Sequence, residues 1–222
     1  MRQLLLLFLF SVLLGAHEYW IDGSGVLQRG HPGTNTPEHG DGEAAVKQYP
    51  AQSYCRRGGK IGEKQGVFGV SGRLETGCDT VMVVLQLGHY AKTPYGILPL
   101  NEADPSMTLN SWESVESVKR LNRLGDYAPL ERGFELSLSR DPSGLEAGEK
   151  LRVLATFDGV PKAGVPVVYD GRVVGTTDDE GHINVRIRRT GLQMIRATYR
   201  QPLVGVPVRE RLYNATLNLE VR

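Results

Sequence analysis

His17 is the residue of this chain best suited to metal chemistry, because a hydrophobic leader ends immediately before it. Residues 1–16 combine an early cation, a nearly unbroken apolar run and the small residues Gly15 and Ala16, a pattern typical of a secretory signal peptide. Cleavage after Ala16 would give His17 a free α-amine beside its own imidazole. Such nitrogen donors suit copper, nickel or zinc. The sequence therefore predicts an exported protein whose first residue can chelate a transition metal.

Three further histidines are candidate ligands that would complete this site. His89 ends an apolar segment that predicts a buried strand, whereas His31 and His39 lie in a glycine- and proline-rich loop at residues 28–43. We rank His89 first, because a strand end is a rigid platform and a loop ligand must be ordered on binding. Each also has an interpretation without metal, as a hydrogen-bonded strand end or as solvated loop residues. The fifth histidine, His182, follows a predicted turn and is not expected to bind metal.

The two cysteines, Cys55 and Cys78, are expected to form a disulfide, because an exported chain with an even cysteine count usually pairs its thiols. Two alternatives stay open, a pair of thiolate metal ligands and two free thiols. Neither cysteine belongs to a Cys-x-x-Cys motif, which makes a thiolate site the weaker interpretation.

The composition argues against several classes of partner. The formal net charge is +1, with acids and bases interspersed, so neither nucleic acid nor an anionic membrane is an expected partner. The apolar run of the leader is shorter than the roughly 20 residues of a membrane span, so we expect no membrane insertion after signal cleavage. These features predict a periplasmic or secreted location.

Motifs of the common enzyme classes are absent from the sequence. It contains no Gly-x-Ser-x-Gly nucleophile elbow, no His-Glu-x-x-His, no phosphate-binding glycine loop with lysine and no dinucleotide fingerprint. We therefore predict that the chain is not an enzyme. One enzymatic alternative stays open, a copper monooxygenase that uses the N-terminal histidine as polysaccharide monooxygenases use their copper brace.

Short β-branched segments between turn residues predict an all-β fold. Seven such segments follow Gly133 at the spacing of an immunoglobulin-like or transthyretin-like sandwich: Phe134–Ser139, Lys150–Phe157, Val165–Tyr169, Arg172–Thr176, His182–Ile187, Gln193–Tyr199 and Leu212–Val221. Asp170 and Gly171 fit a type I′ hairpin turn. Apolar and polar residues alternate along the last segment, which predicts one core face and one solvent face.

The length of the chain favours two β-sandwich domains after the signal peptide at residues 1–16. The N-terminal domain, 17–132, carries the metal-site candidates, and the C-terminal domain spans 133–222. At most one short helix is expected between them, at Asn110–Gly125, where Asn110 can cap the first turn and Gly125 can end the last. Apolar residues recur there every three positions: Trp112, Val115, Val118, Leu121 and Leu124.

Motifs near both ends of the chain carry a family resemblance. The C-terminal ones are Asp-Gly-x-Pro-x-x-Gly-x-x-Val at Asp158–Val167, Thr-x-Asp-x-x-Gly at Thr176–Gly181 and Gly-Leu-x-x-x-Arg-Ala-x-Tyr at Gly191–Tyr199. The N-terminal one is Ala-His-Glu-aromatic-Trp at Ala16–Trp20, and a Lys-Thr-x-x-Gly segment lies within Gly88–Gly96. These motifs resemble those of a bacterial family known as DUF4198. That family includes periplasmic components associated with nickel and cobalt uptake, so the resemblance implies a similar role.

Together these features predict an exported protein that binds nickel or cobalt, with copper as another candidate, and serves as an extracytoplasmic accessory to metal uptake. Capture by His17 and one or two further imidazoles would precede transfer to a membrane metal transporter. Two alternatives stay open. One is a structural or adhesion β-sandwich module without metal, and the other is the copper monooxygenase.

Overall fold

The computed structural model describes residues 18–30, 47–123, 126–142, 144–204 and 207–221. In these ranges it consists of β-strands and two 3₁₀ turns, Leu100–Glu102 and Pro105–Met107, which confirms the all-β prediction. No helix among the described residues is long and apolar enough to cross a membrane.

The strands of the first half are β1 (Glu18–Ile21), β2 (Leu27–Gly30), β3 (Gln48–Arg57), β4 (Lys60–Gly69), β5 (Thr80–Thr93), β6 (Gly96–Pro99) and β7 (Asn110–Leu121). Those of the second half are β8 (Phe134–Leu138), β9 (Lys150–Phe157), β10 (Val160–Pro161), β11 (Pro166–Tyr169), β12 (Arg172–Thr176), β13 (His182–Arg186), β14 (Gly191–Pro202) and β15 (Glu210–Val221). Every segment predicted after Gly133 overlaps one of these strands. Asp170 and Gly171 have φ values of 53° and 71°, as the predicted hairpin turn requires.

A nine-stranded sheet forms the centre of the fold, in the order β12-β11-β14-β15-β7-β5-β3-β4, with β6 paired to β5. A four-stranded sheet, β10-β9-β13 with β8 paired to β9, packs on one of its faces. The β1–β2 hairpin packs on the other. These two faces are termed the sandwich face and the hairpin face below.

Each face of the large sheet has its own hydrophobic core, because successive side chains of a strand point to opposite faces. On the sandwich face, Val84 and Val115 pack in one cluster with Phe134 of the smaller sheet. On the hairpin face, Val118 packs in a second cluster with Ile21 of the hairpin. The central strands are therefore buried on both sides.

Strands from both predicted domains share the large sheet. β7 pairs in parallel with β15, with Val115 opposite Tyr213. The ranges 17–132 and 133–222 thus meet along a continuous ladder of backbone hydrogen bonds. The predicted boundary at residue 132 lies between β7 and β8. These strands belong to the two sheets that pack against each other.

The helix predicted at Asn110–Gly125 is wrong, since residues Asn110–Leu121 form strand β7. β7 lies between β5 and β15, and its residues from Ser114 to Leu121 are all buried. A strand that is covered on both faces shows no simple alternation of apolar and polar residues. The apolar spacing of three was therefore not evidence of a helix, and the β-branched Val115 and Val118 favour the extended form.

The second face of β15 is also covered, where alternation predicted contact with solvent. Thr216 and Asn218 are buried on the hairpin face. The Oδ1 atom of Asn218 accepts a hydrogen bond from the backbone N–H of Ile21 at 2.9 Å. Strand β1 therefore covers polar residues that the sequence pattern assigned to the surface.

The predicted disulfide between Cys55 and Cys78 is present, with a Cα–Cα distance of 5.4 Å. It links β3 to the segment that leads into β5, and both residues belong to the core beneath the hairpin. Replacing both cysteines with alanine should lower the free energy of unfolding by about 2–3 kcal/mol, because the unfolded chain has more conformational entropy without the disulfide. Urea denaturation of the two proteins measures this difference. An unchanged midpoint would contradict the expected role of the bond.

Candidate functional site

The structure describes two of the five histidines. The predicted ligands His17, His31 and His39 lie outside the described residues. His89 is exposed on β5, and His182 is half-buried at the start of β13. Within the described part of the chain, neither histidine belongs to a group of three side chains whose ligand atoms lie close enough to share one ion.

His89 lines a surface groove of about 700 Å³ with Lys47 and Tyr213. It lies directly opposite Glu113 of β7. The carboxylate of Glu113 is already paired, because its Oε2 atom accepts a hydrogen bond from Arg211 at 2.6 Å. Lys47 and Arg211 both bring positive charge to the groove, and this charge disfavours the binding of a metal cation there.

The two cysteine sulfurs offer no metal site in this structure. Among the described residues, Cys55, Glu75 and Cys78 form the only group of three potential ligands. Both sulfurs are bonded to each other, and a metal ligand must be a free thiolate. The thiolate interpretation that the sequence left open is therefore excluded.

The described chain begins on a strand that is fixed to the large sheet at both ends. At its start, Glu18 Oε1 lies 2.8 Å from Arg196 Nη2. At its end, the N–H of Ile21 donates to Asn218, and the carbonyl of Ile21 accepts from Arg120 Nη1 at 3.0 Å. Tyr19 and Ile21 alternate inward and supply the apolar contacts. The residue that follows His17 is thus held in one position.

A buried polar cluster surrounds Glu116 of β7 beneath strand β1. Burial raises the pKa of the Glu116 carboxyl to about 7, and the Glu18 carboxylate adds to this effect, while Asn214 and Arg196 oppose it. Tyr19 lies in the same cluster, and burial raises the pKa of its phenol well above the ordinary value. A carboxyl group with this pKa changes its charge near neutral pH.

Sequence reasoning did not find this cluster. One signal was available, since Glu116 lies between Val115 and Val118 in a segment with few other charges before Lys119. Glu113 and Glu116 lie three residues apart, and this spacing is compatible with the exposed side of the predicted helix. Only the strand assignment reveals that Glu116 points into the hairpin face.

His89 and the start of β1 lie on opposite faces of the large sheet. Arg196, the partner of Glu18, is directly opposite Thr216, which shares the hairpin face with Asn218. His89 is directly opposite Glu113, which shares a face with Val115 of the sandwich core. The structure therefore does not bring our first-ranked partner to the side of the sheet on which β1 lies.

No protein-family model, curated protein or solved structure matches this chain. The resemblance to the DUF4198 family stays a prediction that rests on the sequence motifs.

Proposed function

We propose that this chain is an exported protein that binds a transition metal, nickel, cobalt or copper, through its N-terminal histidine. After capture it passes the ion to a membrane metal transporter, as the resemblance to DUF4198 implies. One structural observation supports the proposal above all others. It is the register of the β1–β2 hairpin, in which Glu18 pairs with Gly30.

This register bears on the metal site because the strands are antiparallel. In the sequence, the residue before Glu18 is His17 and the residue after Gly30 is His31. On this proposal, the two imidazoles and the α-amine of His17 are ligands of one metal ion. Three nitrogen donors of this kind suit nickel or copper in a planar or T-shaped arrangement.

Strand β1, which follows His17, is fixed in position before any metal binds. Glu18 is fixed by its ion pair with Arg196, and the strand behind it is hydrogen-bonded to Asn218 and Arg120. A ligand set next to a fixed strand loses less conformational entropy on binding than one on a free terminus. A site at the chain terminus also stays open for exchange, in contrast to a closed structural site.

The proposal makes His31 the leading partner of His17, with His39 as a further candidate from the same loop. His89 serves better as a control, because it lies on the sandwich face beside the Glu113–Arg211 ion pair. This ranking reverses the order that the sequence favoured.

Adding one glycine before His17 in the mature protein should weaken nickel and copper binding roughly tenfold or more, a loss of at least about 1.4 kcal/mol. The extension moves the α-amine away from the chelate and leaves every side chain in place. The α-amine has an ordinary pKa near 8, so it can lose its proton to a metal at neutral pH at little cost. Isothermal titration calorimetry with each metal salt measures the change.

Three single variants complete this experiment. His17→Ala and His31→Ala should weaken binding at least as much as the extension, whereas His89→Ala should bind as the parent does. Equal affinities of the extended and native proteins would rule out the N-terminal site. Mass spectrometry of the secreted protein tests the preceding step, cleavage after Ala16.

A structural or adhesion module is the second candidate function, and one observation favours it. Large apolar side chains are exposed in one short stretch of the chain, which is typical of protein contact surfaces: Tyr95, Ile97, Leu98, Met107 and Leu109. Metal analysis of the mature protein separates the two candidates, because only the first requires a stoichiometric transition metal. Oxidase activity of the copper-loaded protein with a reductant would instead indicate the monooxygenase.

A further inference from the structure

Lys119 and Glu135 meet inside the sandwich. Lys119 lies on β7 and Glu135 on β8, in the two sheets that face each other. The Nζ atom of Lys119 is 2.6 Å from Glu135 Oε2, and the exposed fractions of the two side chains are 1% and 0%. An amine and a carboxyl group are thus held in contact where solvent does not reach them.

Backbone N–H groups hold the carboxyl group of Glu135 in one orientation. Oε1 accepts hydrogen bonds from the N–H of Glu131 at 2.7 Å and of Arg132 at 3.4 Å. Oε2 accepts from the N–H of Leu130 at 3.1 Å. Oε1 therefore faces a pair of donors and Oε2 faces the amine. Paired backbone donors of this kind stabilise the negative charge that develops on oxygen during acyl transfer.

The loop that supplies these donors is itself anchored. Arg56 donates from Nη1 to the carbonyl of Ala128 at 3.1 Å and from Nη2 to the carbonyl of Pro129. The same guanidinium pairs with Asp126 at 2.7 Å. The donor pair around Oε1 is consequently fixed in advance of any reaction.

Ser137 lies between the amine of Lys119 and the Oε2 atom of Glu135. Its Oγ atom accepts a hydrogen bond from Lys119 Nζ at 2.8 Å and donates to Glu135 Oε2 at 3.4 Å. A hydroxyl group in this position can receive a proton from nitrogen and pass one to oxygen.

We propose that Lys119 and Glu135 condense to an intramolecular amide that joins β7 to β8. A bond forms between Lys119 Nζ and Glu135 Cδ, and the bond from Cδ to Oε2 breaks. Nζ keeps one of its three hydrogens, and the other two leave with Oε2 as water, by way of Ser137 Oγ. Oε1 remains as the amide oxygen in contact with the N–H groups of Glu131 and Arg132. The net reaction is loss of one water, and it needs no oxidant, reductant or cofactor.

Three physical effects favour this reaction. The amine and the carboxyl group are already in contact, which replaces the entropy cost of a bimolecular encounter. Burial lowers the pKa of Lys119, which increases the fraction of the nucleophilic neutral amine. The product also removes two buried charges, whose desolvation is costly even when they are paired.

The amide would be a second covalent brace in an exported protein. Cys55–Cys78 ties β3 to the segment before β5, whereas the amide ties the two sheets of the sandwich. An amide withstands reductants that open a disulfide. The inference is independent of metal binding, because none of its residues is a proposed ligand.

Intact mass spectrometry of the mature, reduced and unfolded protein tests the proposal. The expected mass is lower by one water than the mass of the same chain with free side chains. Proteolysis should then yield a branched peptide that contains both Lys119 and Glu135. Lys119→Met should show its full sequence mass, and Ser137→Ala should accumulate the linked form more slowly. Ser139→Ala, an exposed serine two residues further on, is the matched control and should be linked as in the parent.

A parent protein with its full sequence mass would overturn the proposal and leave an ordinary buried ion pair. Loss of water that maps instead to Asp158-Gly159 or Asp170-Gly171, where succinimides can form, would overturn it equally. If Lys119→Met fails to fold, the mass and the branched peptide of the parent protein still decide the question.

Discussion

Glu135→Ala is expected to lower the free energy of unfolding by about 3–5 kcal/mol, because it leaves the amine of Lys119 buried without its acidic partner. The substitution also removes the acceptor of the backbone N–H groups of Leu130 and Glu131. Unsatisfied buried donors add to the loss. The cost holds for the ion pair, and a preformed amide would only increase it. Urea denaturation monitored by tryptophan fluorescence measures the change.

Two comparison variants separate this buried interaction from a general loss of charge. Glu180→Ala removes an exposed glutamate and should change stability by no more than about 0.5 kcal/mol. The double variant Lys119→Met, Glu135→Leu should recover part of the loss, since apolar side chains of similar volume can replace a buried ion pair. A loss below about 1 kcal/mol in Glu135→Ala would contradict the structural importance of the pair.

The C-terminal strands could be predicted from the sequence because their signals are local. Asp170 and Gly171 specify a turn by backbone conformation alone, and short β-branched segments flank it. β7 could not be predicted in this way. Both of its faces are buried by elements distant in the sequence, so Val115 and Val118 are apolar for different reasons. A pattern created by two cores has no single period from which to predict its secondary structure.

The candidate site was predicted only in part for the same reason. His17 was identified from the leader that precedes it, which is a local signal. The position of the following strand depends on the contact of Ile21 with Asn218, which are 197 residues apart in sequence. No local pattern indicates that contact, so neither the covered polar face of β15 nor the burial of Glu116 could be predicted from the sequence. The sequence likewise did not indicate which face of the sheet His89 lies on, because this depends on the pairing of His89 with Glu113.

Glu116 connects the N-terminal hairpin to pH. Burial raises the pKa of its carboxyl from the ordinary value of 4.5 to about 7 in the folded protein. Between pH 4.5 and 7 the folded state therefore holds a proton that the unfolded state has released. Stability falls as the pH rises through this window, and the full penalty applies above pH 7. The Glu18–Arg196 ion pair lies in the same cluster. We therefore expect ionisation of Glu116 to destabilise the contact that holds β1 on the large sheet.

Glu116→Gln should abolish this penalty and leave the buried shape nearly unchanged. The variant should match the parent protein near pH 4 and exceed its stability by about 3 kcal/mol near pH 8, since each unit of pKa shift corresponds to about 1.4 kcal/mol. Urea denaturation at intervals across this range measures the difference. Glu63→Gln on the exposed strand β4 is the matched control for the same substitution at an exposed site. A Glu116→Gln variant whose difference from the parent stays constant from pH 4 to pH 8 would show that protonation of Glu116 does not affect the stability of the fold.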